Sequence, residues 1–254
     1  LYSSEDKMYA PEQLMDVTKA ARILKEKIMQ GRKICVIGDY DVDGVMSSCI
    51  LIKGIIALGG DVCWRIPHRV KDGYGIREYM VEEVHQQGVD TIITCDNGIS
   101  AWDAVNRAKQ LGMTVILTDH HEVPVNEGKE VLPPADAVIN PKQQGCTYPF
   151  AELCGGAVTY KLMEYLLKES GRQELLRELL VFAAIATICD VVTLQDENRI
   201  IVKLGLQQIK NSRNIGLQML IEKLGYQREI TSRDVGFGIG PCLNAAGRLD
   251  DAAR

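Results

Sequence analysis

The sequence predicts an α/β protein: a doubly wound, mainly parallel sheet of five strands flanked by helices and followed by a helical segment. Short β-branched runs alternate with longer helical patterns between residues 33 and 140, which is typical of parallel sheets. Three of the runs end directly in acidic residues or histidines, and ligands of such sheets collect at the carboxyl ends of the strands. Beyond Pro149 only helical patterns remain.

The elements of the sheet region can be placed in order. Residues 11–30 are predicted to form an amphipathic helix, because apolar residues recur on one face. Strands are predicted at 33–38, 61–67, 90–95, 113–118 and, as a short fifth strand, 135–140. The helices between them are predicted at 45–58, 76–87 and 100–110. The helix at 45–58 is apolar nearly all round, so we expect it to be buried against the sheet.

The second half of the chain predicts helices at 152–170, 173–187, 198–211 and 215–224, and turns in the glycine-rich stretch 236–240. We therefore divide the chain into an α/β domain, residues 1–195, and a helical extension, residues 196–254. The extension ends four residues after Asp250, in what reads as the start of another helix. We expect the chain to be a fragment, with the extension beginning a linker toward a second domain.

The composition favours a globular protein without a membrane partner. Of 254 residues, 46% are apolar and 25% charged, and the longest apolar run, 179–189, is too short to cross a bilayer. Eight cysteines without a C-x-x-C pair are expected to be reduced residues of a cytoplasmic protein. The net charge of −5 becomes +1 when six acidic site candidates are left out, so it does not exclude a nucleic-acid partner.

Three aspartates at alternate positions follow the first predicted strand: Asp39, Asp41 and Asp43. Such crowded carboxylates destabilise a fold unless a cation or strong donors lie among them. An EF-hand is excluded, because its twelfth position would be Ile50 instead of glutamate. Two alternatives to a metal site stay open here. One is an aspartyl-phosphatase motif like that of the haloacid dehalogenase superfamily, with Asp41 as nucleophile. The other is a helix-capping loop, which needs only one aspartate.

Further candidates follow later elements: Asp96, the triplet Asp119-His120-His121, and Asp190 at the end of an apolar helix. Carboxylates with one or two imidazoles suit Mn²⁺ or Mg²⁺ better than zinc. Six acids are too many for one ion, whereas two ions about 3.5–4 Å apart with a bridging carboxylate would use them. Such a pair indicates hydrolysis of a phosphoester or a phosphoanhydride.

These motifs resemble the DHH phosphoesterase superfamily. Asp119-His120-His121 is similar to its signature triplet, residues 38–44 to its first motif, residues 95–98 to its second and Cys189-Asp190 to its fourth. Residues 67–75 and 240–248 resemble the single-strand-specific exonuclease branch of that superfamily. The resemblance covers essentially the whole chain in order. One departure is that Ile37 and Gly38 stand where many members carry a metal-binding histidine, which implies a more open first metal site.

The resemblance implies a role for each motif residue. Asp96 would bridge the two ions, His121 would hold the scissile phosphate or assist the leaving group, and Asp119 would orient the histidines. Asp39 would be either a ligand or an acid that holds a water molecule. The implied metal ligands are Asp41, Asp43, Asp96, His120 and Asp190.

Four further residues are substrate candidates. Arg69, Asn244 and Arg248 are expected to grip phosphates, and Tyr74 to stack on a base. The alternatives are ion pairs for the two arginines and packing against the following helix for Tyr74.

The activity implied by the resemblance is 5′→3′ digestion of single-stranded DNA to 5′-mononucleotides in repair and recombination. A single-strand-binding protein and a helicase are implied partners. The alternative is a sister enzyme for dinucleotides, short oligonucleotides or pyrophosphate. A dehalogenase-type phosphatase would leave His120, His121 and Asp190 unexplained, and a non-catalytic module would not need a full ligand set.

Overall fold

The computed structural model describes residues 7–168 and 170–249, from 246 to 249 by their backbone only. Its main sheet has five parallel strands in the order β2-β1-β3-β4-β7, which confirms the predicted fold class. A short antiparallel hairpin of β5 and β6 lies apart from it and was not predicted. The strands are β1 Ile34–Ile37, β2 Val62–Arg65, β3 Thr91–Cys95, β4 Thr114–Thr118, β5 Val125–Asn126, β6 Lys129–Glu130 and β7 Ala137–Ile139.

Helices connect the strands and make up most of the second half of the chain. The last two are joined by a π-helix, Val235–Ile239, so the glycine-rich stretch is helical and the predicted turns are wrong. The helices are α1 Val17–Met29, α2 Val42–Ala57, α3 Glu78–Gln86, α4 Trp102–Gln110, α5 Gly155–Leu167, α6 Gln173–Cys189, α7 Asp196–Gln208, α8 Ile215–Lys223, α9 Ser232–Asp234 and α10 Gly240–Leu249.

Two apolar cores cover the two faces of the sheet. Val36 and Ile93 join the core formed with α1, α2, α5 and α6, whereas Cys35 and Ile92 join the core formed with α3 and α4. This alternation follows from the two-residue period of a strand. The strand order reverses between β1 and β3, since β1 leads to β2 on one side and β3 to β4 on the other. Such a reversal opens a crevice at the carboxyl ends of these strands.

The starts of α1 and α2 differ from the predictions in ways that bear on the site and on the sheet. The predicted helix 11–30 begins only at Val17, because Pro11–Gln13 forms a 3-10 turn and Asp16 adopts a left-handed backbone. The Asp16 carboxylate accepts a hydrogen bond from Val138 N–H at 3.0 Å, which ties this corner to β7. Helix α2 begins at Val42, three residues earlier than predicted, so Asp43 lies in its first turn.

The helical half packs onto the same core as the sheet. Helix α7 contacts α6, and its Ile201 belongs to the core that includes Val36. The domain division after residue 195 stays a prediction. All eight cysteines lie in the described part of the chain and carry free thiols. Among the described helices, none combines the length and the apolarity that crossing a membrane would require.

Candidate metal centre

The predicted acidic residues and histidines meet at the carboxyl edge of the sheet, where the strand order reverses. Asp39, Asp41 and Asp43 follow β1, Asp96 follows β3, and Asp119-His120-His121 follows β4. Asp190 joins them as the C-terminal cap of α6. Three groups place one ligand atom per residue within 4.8 Å of one another. They are Asp39-Asp41-Asp96, Asp43-His120-Asp190 and Asp96-His120-His121.

The three aspartates after β1 have different local roles. Asp41 caps α2, because its Oδ1 accepts a hydrogen bond from Gly44 N–H at 3.0 Å. The helix-capping interpretation therefore holds for Asp41 alone and leaves Asp39 and Asp43, both 2% exposed, unexplained. The backbone turns back so tightly that a Cβ at Gly44 would lie 2.4 Å from the carbonyl oxygen of Asp39. A glycine is therefore required here for the aspartates to face inward.

Asp43 is held by the N-terminus of α5. Its two carboxylate oxygens accept hydrogen bonds from Gly155 N–H and Gly156 N–H, each at 2.7 Å. A Cβ at Gly155 would lie 2.8 Å from Asp96 Cβ and 3.1 Å from Asp43 Oδ2. Helix α5 can reach the carboxylates this closely only because these two residues have no side chain. We call Gly155 and Gly156 the glycine pair.

Asp96 occupies a left-handed backbone conformation, with φ of 60°. The next residue, Asn97, is fully buried and donates from Nδ2 to the carbonyl oxygens of Ile37 at 3.1 Å and Cys95 at 2.9 Å. These bonds join the ends of β1 and β3. Asp96 thereby projects toward His120, whose Nε2 lies 3.0 Å from Asp96 Oδ1.

Asp119 contacts both histidines. Its Oδ1 accepts hydrogen bonds from the backbone N–H groups of His120 and His121 and lies 2.7 Å from His121 Nδ1. Its Oδ2 accepts from Ile99 N–H at 2.9 Å. Burial alone would raise the pKa of Asp119, but the hydrogen bonds, first of all from His121, hold it below its ordinary value. The arrangement thus favours the ionised form of Asp119, and the same hydrogen bond raises the pKa of His121.

Four other carboxyl groups, those of Asp39, Asp43, Asp96 and Asp190, lie in surroundings that disfavour their ionised forms. Burial, reinforced by neighbouring aspartates, raises the pKa values of Asp39 and Asp190 to about 7. Burial also raises the pKa of Asp43 and, well above its ordinary value, that of Asp96. Burial lowers the pKa of His120, which therefore favours the neutral form that binds metal.

The residues present fit a site for divalent cations. Within the described part of the chain, the only basic side chains within 4.0 Å of these carboxylates are His120 and His121. Buried carboxylates without a cationic partner are costly, and oxygen-rich ligands with imidazole suit Mn²⁺ or Mg²⁺. The carboxylates divide into more than one ligand group, with Asp96 in two of them. This division suits two ions and a bridging role for Asp96.

The substrate candidates lie around this centre at different distances. Tyr74 is part of it, because its hydroxyl donates to the carbonyl oxygen of Asp96 at 2.9 Å and lies 3.0 Å from His121 Nδ1. Base stacking by Tyr74 stays a prediction. The guanidinium of Arg69 stacks on the Tyr40 ring, 5.0 Å from its centroid, beside the aspartate segment.

The other two candidates, Asn244 and Arg248, lie on α10. Asn244 lines a cavity of about 850 Å³ together with Cys189 and Val191, the chain neighbours of Asp190. The side chain of Arg248 lies outside the described residues, so its role stays a prediction.

Sequence reasoning missed the residues that hold the ligands. The glycine pair acts through backbone N–H groups, so the residue type alone did not mark it. A signal was present, since adjacent glycines open an otherwise apolar helix, where glycine lowers helix propensity. Asn198 was also missed, although it is fully buried and polar.

Comparison with known proteins agrees with this geometry. Residues 33–187 match the family model described as DHH family, N-terminal domain. The single-stranded-DNA-specific exonuclease RecJ of Bacillus subtilis is 42% identical over 253 residues, which cover 99% of this chain and 31% of the relative. The RecJ of Escherichia coli is 37% identical over 253 residues, covering 94% and 43% respectively. The chain thus spans less than half the length of these two relatives.

A solved structure shows the same fold. The crystal structure of an exonuclease RecJ bound to manganese superposes with a TM-score of 0.84 at 35% identity. It matches 97% of this chain and 61% of the other. The family model covers more than half of the chain and includes the motifs after β1, β3 and β4. The chain belongs to the DHH family.

Proposed function

We propose that this chain is the catalytic part of a metal-dependent exonuclease that digests single-stranded DNA from the 5′ end and releases 5′-mononucleotides. The observation that carries the proposal is the convergence of six aspartates and two histidines at one edge of the sheet. The relatives named as single-stranded-DNA-specific exonucleases support the substrate class. The manganese-bound relative supports Mn²⁺, or the similar Mg²⁺, as the cofactor.

Two groups of residues would hold the two cations. One comprises Asp39, Asp41 and Asp96, and the other comprises Asp43, His120 and Asp190. Asp96 also lies in a ligand group with His120, so it would bridge the two cations. When bound, the cations supply positive charge for the phosphoryl oxygens and lower the pKa of a water molecule. The chain orients this set through the glycine pair, through the Asp41 cap and through Asn97.

His121 is the residue that would move a proton. Its side chain is 45% exposed, so a substrate can reach it, while Asp119 Oδ1 holds its Nδ1 at 2.7 Å. The hydrogen bond to Asp119 raises the pKa of His121 and so favours the protonated imidazole, which suits a donor to the leaving oxygen or a charge that holds the scissile phosphate. Tyr74 holds the same nitrogen from a second side.

Arg69, Asn244 and Arg248 would bind backbone phosphates leading to this centre, and Tyr74 would stack on a base. An arginine fork binds phosphate oxygens in pairs, and aromatic stacking tolerates every base. A cytoplasmic location, a single-strand-binding protein and a helicase as partners complete the proposal. They fit an enzyme of DNA repair and recombination, in line with the free thiols of all eight cysteines.

The test is Mn²⁺-dependent digestion of single-stranded DNA labelled at the 5′ or the 3′ end, alongside a dinucleotide and pyrophosphate. Asp96→Asn removes the proposed bridging charge and keeps the shape, whereas Asp103→Asn changes an exposed acid on α4 as a matched control. The proposal is supported if the parent chain and Asp103→Asn release mononucleotides from the 5′ end of the DNA and Asp96→Asn does not. Cleavage of only the small substrates would assign the chain to the sister activity instead.

A further inference from the structure

The segment that follows Asp190 is held by few side chains. Residues 191 and 193–196 are all exposed, and only Val192 packs partly against the core. Both ends of the segment are strained, because Val191 and Asp196 have positive φ values of 62° and 44°. A β-branched residue adopts this conformation only where the surrounding structure imposes it. Asp190 itself ends α6, where its N–H donates to the carbonyl oxygen of Ala186 at 2.9 Å. The exposed segment that continues from it needs a support other than packing.

The side chain of Asn198 provides this fixation. Its Nδ2 donates to the carbonyl oxygen of Thr193 at 3.0 Å, within the segment, and to that of Glu152 at 2.6 Å. Glu152 lies three residues before Gly155 and therefore leads into the glycine pair that holds Asp43. One amide thus joins the segment that continues from Asp190 to the segment that leads into the donors to Asp43.

The start of α7 gives Asn198 a rigid base. Glu197 is fully buried, and its Oε1 lies 2.8 Å from Nζ of the fully buried Lys161 of α5. The same carboxylate accepts hydrogen bonds from Tyr9 N–H at 3.0 Å and from the Tyr148 hydroxyl. These bonds fix the first turn of α7, which carries Asn198, to α5. Asn198 can therefore hold residues 191–196 in one position.

The composition of this contact points to positioning more than to stability. Asn198 Oδ1 is buried and has no hydrogen-bond partner among the described residues. An apolar residue would avoid an unpaired buried acceptor, so the asparagine is explained by its two donor hydrogens. Those hydrogens serve two carbonyl oxygens on segments that both reach the metal centre.

We infer that Asn198 is a positioning residue of the metal centre, which holds Asp190 and the Asp43 donors at a fixed separation. The inference rests on the proposed function in one respect, that the centre binds divalent cations. Residues that orient metal ligands commonly change metal affinity or activity about 10–100-fold when they are replaced. The inference adds Asn198 to the site without giving it any contact with substrate or ion.

The experiment titrates Mn²⁺ by calorimetry into the parent chain, Asn198→Leu and Asn214→Ala. Asn214→Ala is the matched control, because it removes one hydrogen bond, the cap to Leu217 N–H at 2.8 Å, at the start of α8. Asn198→Leu is expected to weaken Mn²⁺ binding about tenfold or more, whereas the control leaves binding unchanged. Amide hydrogen exchange of residues 190–195 without metal is expected to be faster in Asn198→Leu only.

Each outcome decides one part of the inference. Parent-like Mn²⁺ affinity and parent-like exchange in a folded Asn198→Leu protein would overturn it. If that variant does not fold, Asn198→Ala replaces it, since the smaller side chain admits water to both carbonyl oxygens, and the same two readouts apply. A parent chain that binds no Mn²⁺ would instead refute the proposed function, and the exchange measurement would still test whether Asn198 holds the segment.

Discussion

Replacing Gly155 with alanine tests whether α5 positions the metal ligands. The added Cβ would lie 2.8 Å from Asp96 Cβ, 3.1 Å from Asp96 Cα and 3.1 Å from Asp43 Oδ2. Neither neighbour can move freely, because Asp96 is fixed by its left-handed backbone and Asp43 by two hydrogen bonds from the glycine pair. We therefore expect α5 to shift away from the aspartates.

The size of the effect follows from two contributions. Overpacking a tight site costs about 1–3 kcal/mol, which corresponds to a decrease in melting temperature of roughly 2–4 °C per kcal/mol for a chain of this size. The shift also lengthens both hydrogen bonds to Asp43, and loss of such orienting contacts weakens metal binding about 10–100-fold. The affinity for Mn²⁺ should therefore fall more than the modest loss of stability would suggest.

The assay combines Mn²⁺ calorimetry with thermal unfolding, and Gly205→Ala is its control. A Cβ at Gly205 would lie 2.3 Å from Ala184 Cβ, so this variant is overpacked at the contact between α6 and α7, away from the carboxylates. We expect Gly205→Ala to lower the melting temperature and leave the Mn²⁺ affinity unchanged. Equal Mn²⁺ affinity in Gly155→Ala and the parent chain would refute the positioning role, as would an equal loss in both variants.

Three other predictions concern charge and hydrogen bonding. Because the pKa values of Asp39 and Asp190 are raised from 3.8 to about 7, the folded chain binds protons that the unfolded chain has released. The metal-free stability should thus fall as the pH rises from about 4 to about 7, and a double Asp→Asn variant at these positions should flatten this dependence in urea titrations. Lys161→Met removes the only cationic partner of the buried Glu197 among the described residues and should cost about 3–5 kcal/mol of unfolding free energy, part of which a second change, Glu197→Gln, should restore. Tyr74→Phe removes the hydroxyl bonds at 2.9 and 3.0 Å and should lower kcat about three- to tenfold in the labelled-DNA assay, while an unchanged kcat would exclude a role for this hydroxyl.

Much of the fold and of the ligand set could be predicted because both leave local patterns. Strands such as β1 and β3 are short β-branched runs, and the aspartates that follow them must lie at one edge of a parallel sheet. The start of α1 could not be predicted in this way, because the apolar period continues through the 3-10 turn at Pro11–Gln13. What stops the helix there is the contact of Asp16 with Val138, a residue distant in the chain.

The supporting residues could not be predicted for a related reason. The glycine pair contributes N–H groups, which every residue except proline has. Glycine is necessary there only because Asp96 lies against Gly155 and Ala186 lies against Gly156. Asn198 in the sequence is an ordinary polar residue near the start of a helix. Its function depends on the carbonyl oxygens of Glu152 and Thr193, which lie 46 and 5 residues away in the chain. Contacts of this kind appear only when the chain is folded.

The crowding of carboxylates around Asp96 provides the proposed metal ligands but lowers the thermal stability of the metal-free fold. Asp96 is 2% exposed, and Asp43, Asp41, Asp119 and Asp39 all raise its pKa after burial itself. The raised pKa values of Asp39, Asp43 and Asp96 mean that ionising these three carboxyl groups destabilises the metal-free fold. A neutral replacement at any of them would relieve repulsion and at the same time remove a proposed ligand. A library of variants selected only for survival on heating in a chelator would accumulate such replacements. The heat-resistant variants would thus carry their replacements at the metal-ligand positions of the family motifs, and they would lose metal binding.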